Sequence, residues 1–160
     1  MYNTILVPLD GSRRAETILD HVEKLAHSYR TKIIFLTALE HKFRVGGEGI
    51  QSHLDGGELE QKMNKAESYL ADLSDKFNKK DIQAQIRVIY GPAVEVITKV
   101  AEEEGADLIA IASHGRTGLD RVFYGSIAAG LLQVVDRPLL LIRSRGIKID
   151  STIRWGQDMI

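Results

Sequence analysis

Ile5-Leu6-Val7-Pro8-Leu9-Asp10-Gly11-Ser12 is the stretch on which the fold turns. Its apolar residues run together instead of alternating with polar ones, which suits a strand covered on both faces, as in the middle of a parallel sheet. Pro8 has no N–H for a sheet ladder, which counts against a central strand unless it sits at the strand's end, where the chain leaves for the loop. Asp10-Gly11-Ser12 reads as a turn with a helix-capping residue. From Ala15 onward, Ile18, Leu19, Val22, Leu25, Ala26 and Tyr29 fall at intervals of three and four, the period of a helix with one buried stripe. The opening unit is strand, tight turn, helix.

The same alternation continues downstream. Lys32 to Leu39 is a second buried strand, and a helical crossover between two such strands makes the pair parallel. Glu40 to Gly57 breaks the pattern with Gly46-Gly47, Gly49 and Gly56-Gly57 among charged residues, a long loop that is either a lid over a site or disordered. Leu59, Met63, Ala66, Leu70, Leu73 and Phe77 predict a helix of about five turns with Met63 as core filler. Ile82 to Tyr90 alternates, the mark of a strand with one partly solvated face, and is placed at a sheet edge. Gly91-Pro92 opens a helix with Val94, Ile97, Val100 and Ala101 inward, and Gly105 stops it. Asp107 to Ala112 is a fourth strand, Ser113 to Tyr124 a linker, and Gly125-Ser126 the head of a helix carrying Ile127, Leu131, Val134 and Val135. Leu139 to Ile142 is the fifth strand. Five strands alternating with four helices imply an α/β domain on an open, doubly wound sheet with helices on both faces.

Composition narrows the function. A chain of 160 residues with 44% hydrophobic content buries one core and has little room for a second. The absence of Cys excludes disulfides, thiolate metal sites and cysteine catalysis. With 21 basic and 22 acidic residues there is no electrostatic footprint for nucleic acid or an anionic membrane. No apolar run nears the roughly 18 residues of a membrane span, and Ile5 to Leu9 is too short for a secretory signal, so the expectation is a cytoplasmic, soluble protein.

In a doubly wound sheet, ligands bind beyond the carboxyl ends of the strands where the strand order reverses. Two segments meet that address: Pro8 to Ser12 after the first strand, and Ala112 to Gly118 with Gly125-Ser126 after the fourth. The second has the makings of a phosphate cradle, since glycines admit backbone N–H groups to an anion and Ser126 starts a helix with unpaired donors. The plainer alternative is that Gly115 and Gly118 shape a turn and Gly125-Ser126 caps a helix. Neither a P-loop Gly-Lys-Ser/Thr nor GxGxxG is present. A receiver domain shares the architecture but needs an acidic cluster that Asp10 does not have around it. His114 has no identifiable nucleophile or orienting carboxylate and reads as a loop or ligand-edge residue. Arg116 and Arg121 either neutralise phosphate or are solvated, and Asp10 is either a ligand contact or a turn-forming residue.

Ile5 to Ser12, together with Ala112-Ser113-His114-Gly115, nine residues and Gly125-Ser126, resembles the universal stress protein family over Met1 to about Arg143. That family's nucleotide-binding form carries Gly, two residues, Gly, nine residues, then Gly-Ser or Gly-Thr, and this chain departs from it at the first position, Ala112. The resemblance implies a single adenine-nucleotide-binding domain over 1–143, strand order 3-2-1-4-5, and a C-terminal tail over 144–160. It implies Pro8, Asp10 and Ala38 beside the adenosine, Ile111 and Ala112 beside the ribose, and Gly115, Gly125, Ser126 and Ile127 on the phosphates.

The leading expectation is a stress-response regulator holding ATP, or AMP or ADP, with Mg as a companion ion. The apolar edge of strand 139–143 invites a second copy, giving a homodimer, a partner that the resemblance also implies. The alternatives are a slow ATP hydrolase or nucleotidyl-transfer enzyme with Asp10 helping to place a metal, and a nucleotide-free interaction module.

Overall fold

The computed structural model describes residues 1–40, 56–114 and 125–144. β1 (Thr4–Pro8) stops at the proline, as a residue without an N–H requires, with Pro8 opposite Leu36 at the last rung. A 3-10 turn (Ala15–Ile18) leads into α1 (Leu19–Tyr29), so the helix expected from Ala15 begins as a tighter coil. Arg30, in the left-handed region at φ 53°, ends it. Tyr29, expected on the buried stripe, is exposed, because it is the last residue before that reversal.

β2 (Lys32–Leu39) is followed by α2 (Gly56–Asn78), whose 23 residues exceed the five turns expected from sequence. The extra length is at the start, where Gly56-Gly57 reads as loop but the good helix formers after it extend the helix backward. Met63 is half-buried, and the packing of α2 rests on Leu70, Leu73 and Phe77 in its second half. β3 (Ala84–Tyr90), α3 (Ala93–Glu103), β4 (Leu108–His114), α4 (Ser126–Val134) and β5 (Leu139–Ser144) complete the chain. β4 runs two residues past its expected end, since Ser113 and His114 pair with Arg143 and Ser144. Val134 on α4 is solvent-exposed, and it is Leu131 that packs inward.

The five strands form one parallel sheet in the order β3-β2-β1-β4-β5, the open doubly wound arrangement expected. β1 is its centre, and Ile5, Leu6 and Val7 have no accessible surface, which accounts for the unalternating run in the sequence. Along β1 and just past it, Ile5, Val7 and Leu9 face α1 and α2, together with Ile18, Val22, Leu70 and Phe77. Leu6 faces the other way, toward Val96, Ile97 and Val100 of α3 and Leu131 of α4. Phe35 meets Phe77 edge to face at 5.1 Å, tying β2 to α2.

At the amino-terminal end of the sheet the Asp107 carboxylate accepts the N–H groups of Asn3 and Thr4, bridging β1 and β4. Arg137 donates to the carbonyls of Ala101 and Ala106, holding the end of α3. Among the described residues no helix is long and apolar enough to cross a membrane. The loop at 40–57, apart from Glu40, Gly56 and Gly57, and the tail beyond Ser144 lie outside the described residues.

Candidate functional site

The strand order reverses between β1 and β4, and there, past the carboxyl ends of the strands, lies a cavity of about 270 Å³. Its first wall is Pro8, Leu9 and Asp10. With Pro8 unable to donate, the strand end is held by its neighbour: Leu9 donates its N–H to the Leu36 carbonyl at 2.8 Å, and its own carbonyl accepts the buried Thr37 hydroxyl at 2.9 Å. The chain then turns on Gly11, at φ +78°, where a side chain would be strained. Asp10 Oδ1 accepts the Ser12 N–H at 2.9 Å, and Ser12 Oγ accepts the Ala15 N–H at 3.2 Å. Asp10 is thus a turn-forming residue and a cavity-lining one at once.

Leu36 and Ala38 of β2 and Ile111, Ala112 and Ser113 of β4 make the floor. These strand positions bring small or apolar side chains to a buried surface, which suits a flat aromatic ring. A further wall comes from α4. Its N-cap is Gly125, which brings no side chain to the helix end, and the first intrahelical bond runs from the Ala129 N–H to the Gly125 carbonyl at 2.9 Å. The N–H groups of Ser126, Ile127 and Ala128 therefore have no partner within the helix, and all three residues line the cavity. Such a helix end favours an anion. α3 contributes Ala93 and Ile97, and the Ala93 N–H donates to Glu40 Oε1 at 2.6 Å.

Behind the Asp10 wall, the Tyr69 hydroxyl of α2 donates to the Glu16 carboxylate at 3.0 Å. Burial, reinforced by Glu16 and then by the negative charge of Asp10, pushes the Tyr69 phenol well above its usual value, so it stays a hydrogen-bond donor. Among the described residues no group of three or more His, Asp or Glu could hold a metal ion.

Eight of the residues singled out from sequence come together on this cavity: Pro8, Asp10, Ala38, Ile111, Ala112, Gly125, Ser126 and Ile127. His114 is the last residue of β4, and Gly115, Arg116 and Arg121 lie outside the described residues. Sequence reasoning missed Ala15, Leu36, Ala93, Ile97 and Ala128 on the cavity, and Glu40 on the Ala93 N–H. Ile97 was legible as inward-facing from its helical phase, but nothing local says that α3 crosses the end of β1.

A family model described as the Universal stress protein family matches residues 1–143. Universal stress protein MJ0577 of Methanocaldococcus jannaschii is 29% identical over 162 residues, covering 91% of this chain and 97% of that protein. A solved structure of MJ0577 superposes with a TM-score of 0.69 at 26% identity, over 91% of this chain and 99% of that one. Two further structures share the fold. One is a universal stress protein in complex with cAMP, with a TM-score of 0.61 at 20% identity over 90% of this chain and 98% of that one. The other is the universal stress protein from Archaeoglobus fulgidus in complex with dAMP, at 0.62 and 18% over 88% and 98%.

Proposed function

The chain belongs to the universal stress protein family, and from that premise we propose that it binds an adenine nucleotide in the cavity between β1 and β4 and acts as a nucleotide-dependent, homodimeric stress-response regulator in the cytoplasm. The observation that carries this reading is one cavity with two kinds of wall: an apolar floor from β2 and β4, and the N-terminus of α4, which no side chain among the described residues caps. The solved relatives in complex with cAMP and dAMP support adenine as the base.

In this reading Leu36, Ala38 and Ile97 exclude water from the faces of the base, where apolar contact is most effective. Asp10, Ile111 and Ala112 border the sugar, with the carboxylate as acceptor for a hydroxyl. The N–H groups of Ser126, Ile127 and Ala128 hold the phosphate nearest the ribose. Three charge-assisted bonds at roughly 1.5–3 kcal/mol each offset much of the cost of ordering the ligand, and burial of the base against the apolar floor supplies the surplus. The cavity sits at the small end of ligand pockets, the size of a nucleoside, so phosphates beyond the first reach past Ser126 to the rim. ATP, with AMP and ADP as competitors, is the ligand proposed, and Mg enters with the phosphates.

Native mass spectrometry of the freshly purified chain, before and after addition of Mg-ATP, tests the reading. The expected result is one adenine nucleotide per chain. Ser126→Asp sets a carboxylate against the proposed phosphate position and should abolish retention without unfolding the chain. Unchanged ATP affinity in that variant removes α4 from the site.

A further inference from the structure

Two helix N-termini open on the same cavity, and they differ in what occupies them. At α4, the N-cap Gly125 has no side chain to offer, and among the described residues none caps the N–H groups of Ser126, Ile127 and Ala128. At α3, the Glu40 carboxylate already accepts the Ala93 N–H at 2.6 Å. Each helix end carries about half a positive charge, so without Glu40 the α3 end would draw an anion much as α4 does. A carboxylate at that place satisfies the donor and also sets a full negative charge against anything anionic that approaches it.

The placement of Glu40 is built into the sheet. It directly follows β2, and the Gly91 N–H donates to the Leu39 carbonyl at 3.0 Å, which brings the junction between β3 and α3 against the end of β2. Ala38, two residues earlier, is part of the cavity floor, and Ala93 is part of its wall. The carboxylate is therefore held beside the cavity, on the N–H of a residue in its wall, and the first donors of α4, which no described side chain caps, belong to another part of the lining.

We propose that Glu40 is a specificity-determining residue that closes the α3 end of the cavity to anions, leaves α4 as the one anion pole, and thereby sets which way round a nucleotide lies. The inference rests on the nucleotide reading of the cavity. It assigns the base to the β2 and α3 side because that side repels phosphate, a cause separate from the apolar contacts that favour the base there.

The test uses the full chain, ¹⁵N-labelled and titrated with inorganic phosphate, with phosphate-dependent shifts of the backbone amides as the readout. In the parent protein the amides of Ser126, Ile127 and Ala128 should respond and that of Ala93 should not. Glu40→Gln keeps an oxygen acceptor for the Ala93 N–H and removes the charge, and in it Ala93 should respond saturably. The same variant should bind ATP about three- to tenfold more tightly at low salt, with adenosine affinity changed less than about twofold, since only the charged ligand feels the lost repulsion. A purely structural cap would move both ligands together or neither. An Ala93 amide that stays silent in Glu40→Gln, or already responds in the parent, overturns the proposal. Should Glu40→Gln fail to fold, Glu40→Ala, which removes cap and charge together, must likewise admit phosphate at Ala93. Silence at α4 in every protein, with Ala93 responding only in the variant, would sink the nucleotide reading and leave Glu40 as an anion barrier.

Discussion

Asp10 shapes its turn and, in the proposed reading, meets the ligand as well. Its Oδ1 accepts the Ser12 N–H while the residue lines the cavity, so substitutions should separate the two roles. Asp10→Asn keeps the turn acceptor and loses the charge; stability should move by less than about 0.5 kcal/mol, while adenosine affinity, read by titration calorimetry, falls about tenfold. Asp10→Ala loses the turn as well, at a cost of about 1 kcal/mol. An Asn variant that binds adenosine like the parent takes Asp10 out of the site. Asp107 makes a different prediction. Burial pushes its carboxyl upward, but hydrogen bonds from the backbone of Asn3 and Thr4 and from the Asn3 side chain more than offset this, and its pKa is lowered. A carboxyl whose folded value lies below its unfolded value, near 4, contributes stability that is complete above that value and is lost as pH falls through the folded one. Urea unfolding between about pH 6 and 2.5 should show this acid loss, and Asp107→Asn should flatten it.

α3 and α4 pack so closely that a Cβ built on Gly130 would lie 2.7 Å from Val94 Cγ2. Gly130→Ala should therefore cost about 1–3 kcal/mol and push the start of α4 away from the cavity, weakening ATP more than adenosine; adding Val94→Ala should restore both. Thermal unfolding and paired titrations check this. The close approach was invisible in sequence, where Gly130 is one small residue in an apolar helix, whereas the bounds of other elements were plain. Pro8 marked the end of β1 because a missing N–H is a local fact, and Gly105, at φ +61°, marked the stop of α3 for the same kind of reason. Ser113 and His114 read as linker because they are polar and precede Gly115; what makes them strand is their pairing with Arg143 and Ser144, thirty residues on. The cavity followed the same division. Asp10, Ser126 and their neighbours sit at strand and helix ends that punctuation residues announce, while Ala93 and Ile97 reach it through helix placement and Glu40 meets Ala93 through a hydrogen bond across 53 positions, which no local pattern encodes.

At the scale of the molecule, β5 ends the sheet with Leu139 to Ile142 half-buried, and α4 beside it exposes Leu132 (53%) and Val134 (55%). An apolar strand edge invites a second copy. In the proposed homodimer, amide exchange of β5 should slow as protein concentration rises while that of β3, at the opposite edge, does not, and sedimentation should report two chains; concentration-independent exchange at β5 would remove this edge from the interface. The seam between β1 and β4 has a further consequence, for the order in which the chain folds. β1 finds β2 within a few tens of residues, but Thr4 meets Asp107 across 103 positions, a closure that has to wait on everything between. Such long-range parallel pairing is the slow kind. Because the cavity takes one wall from each side of that seam, refolding chains followed by stopped-flow should recover their backbone signal before, or together with, their ability to capture a fluorescent nucleotide, and never after it.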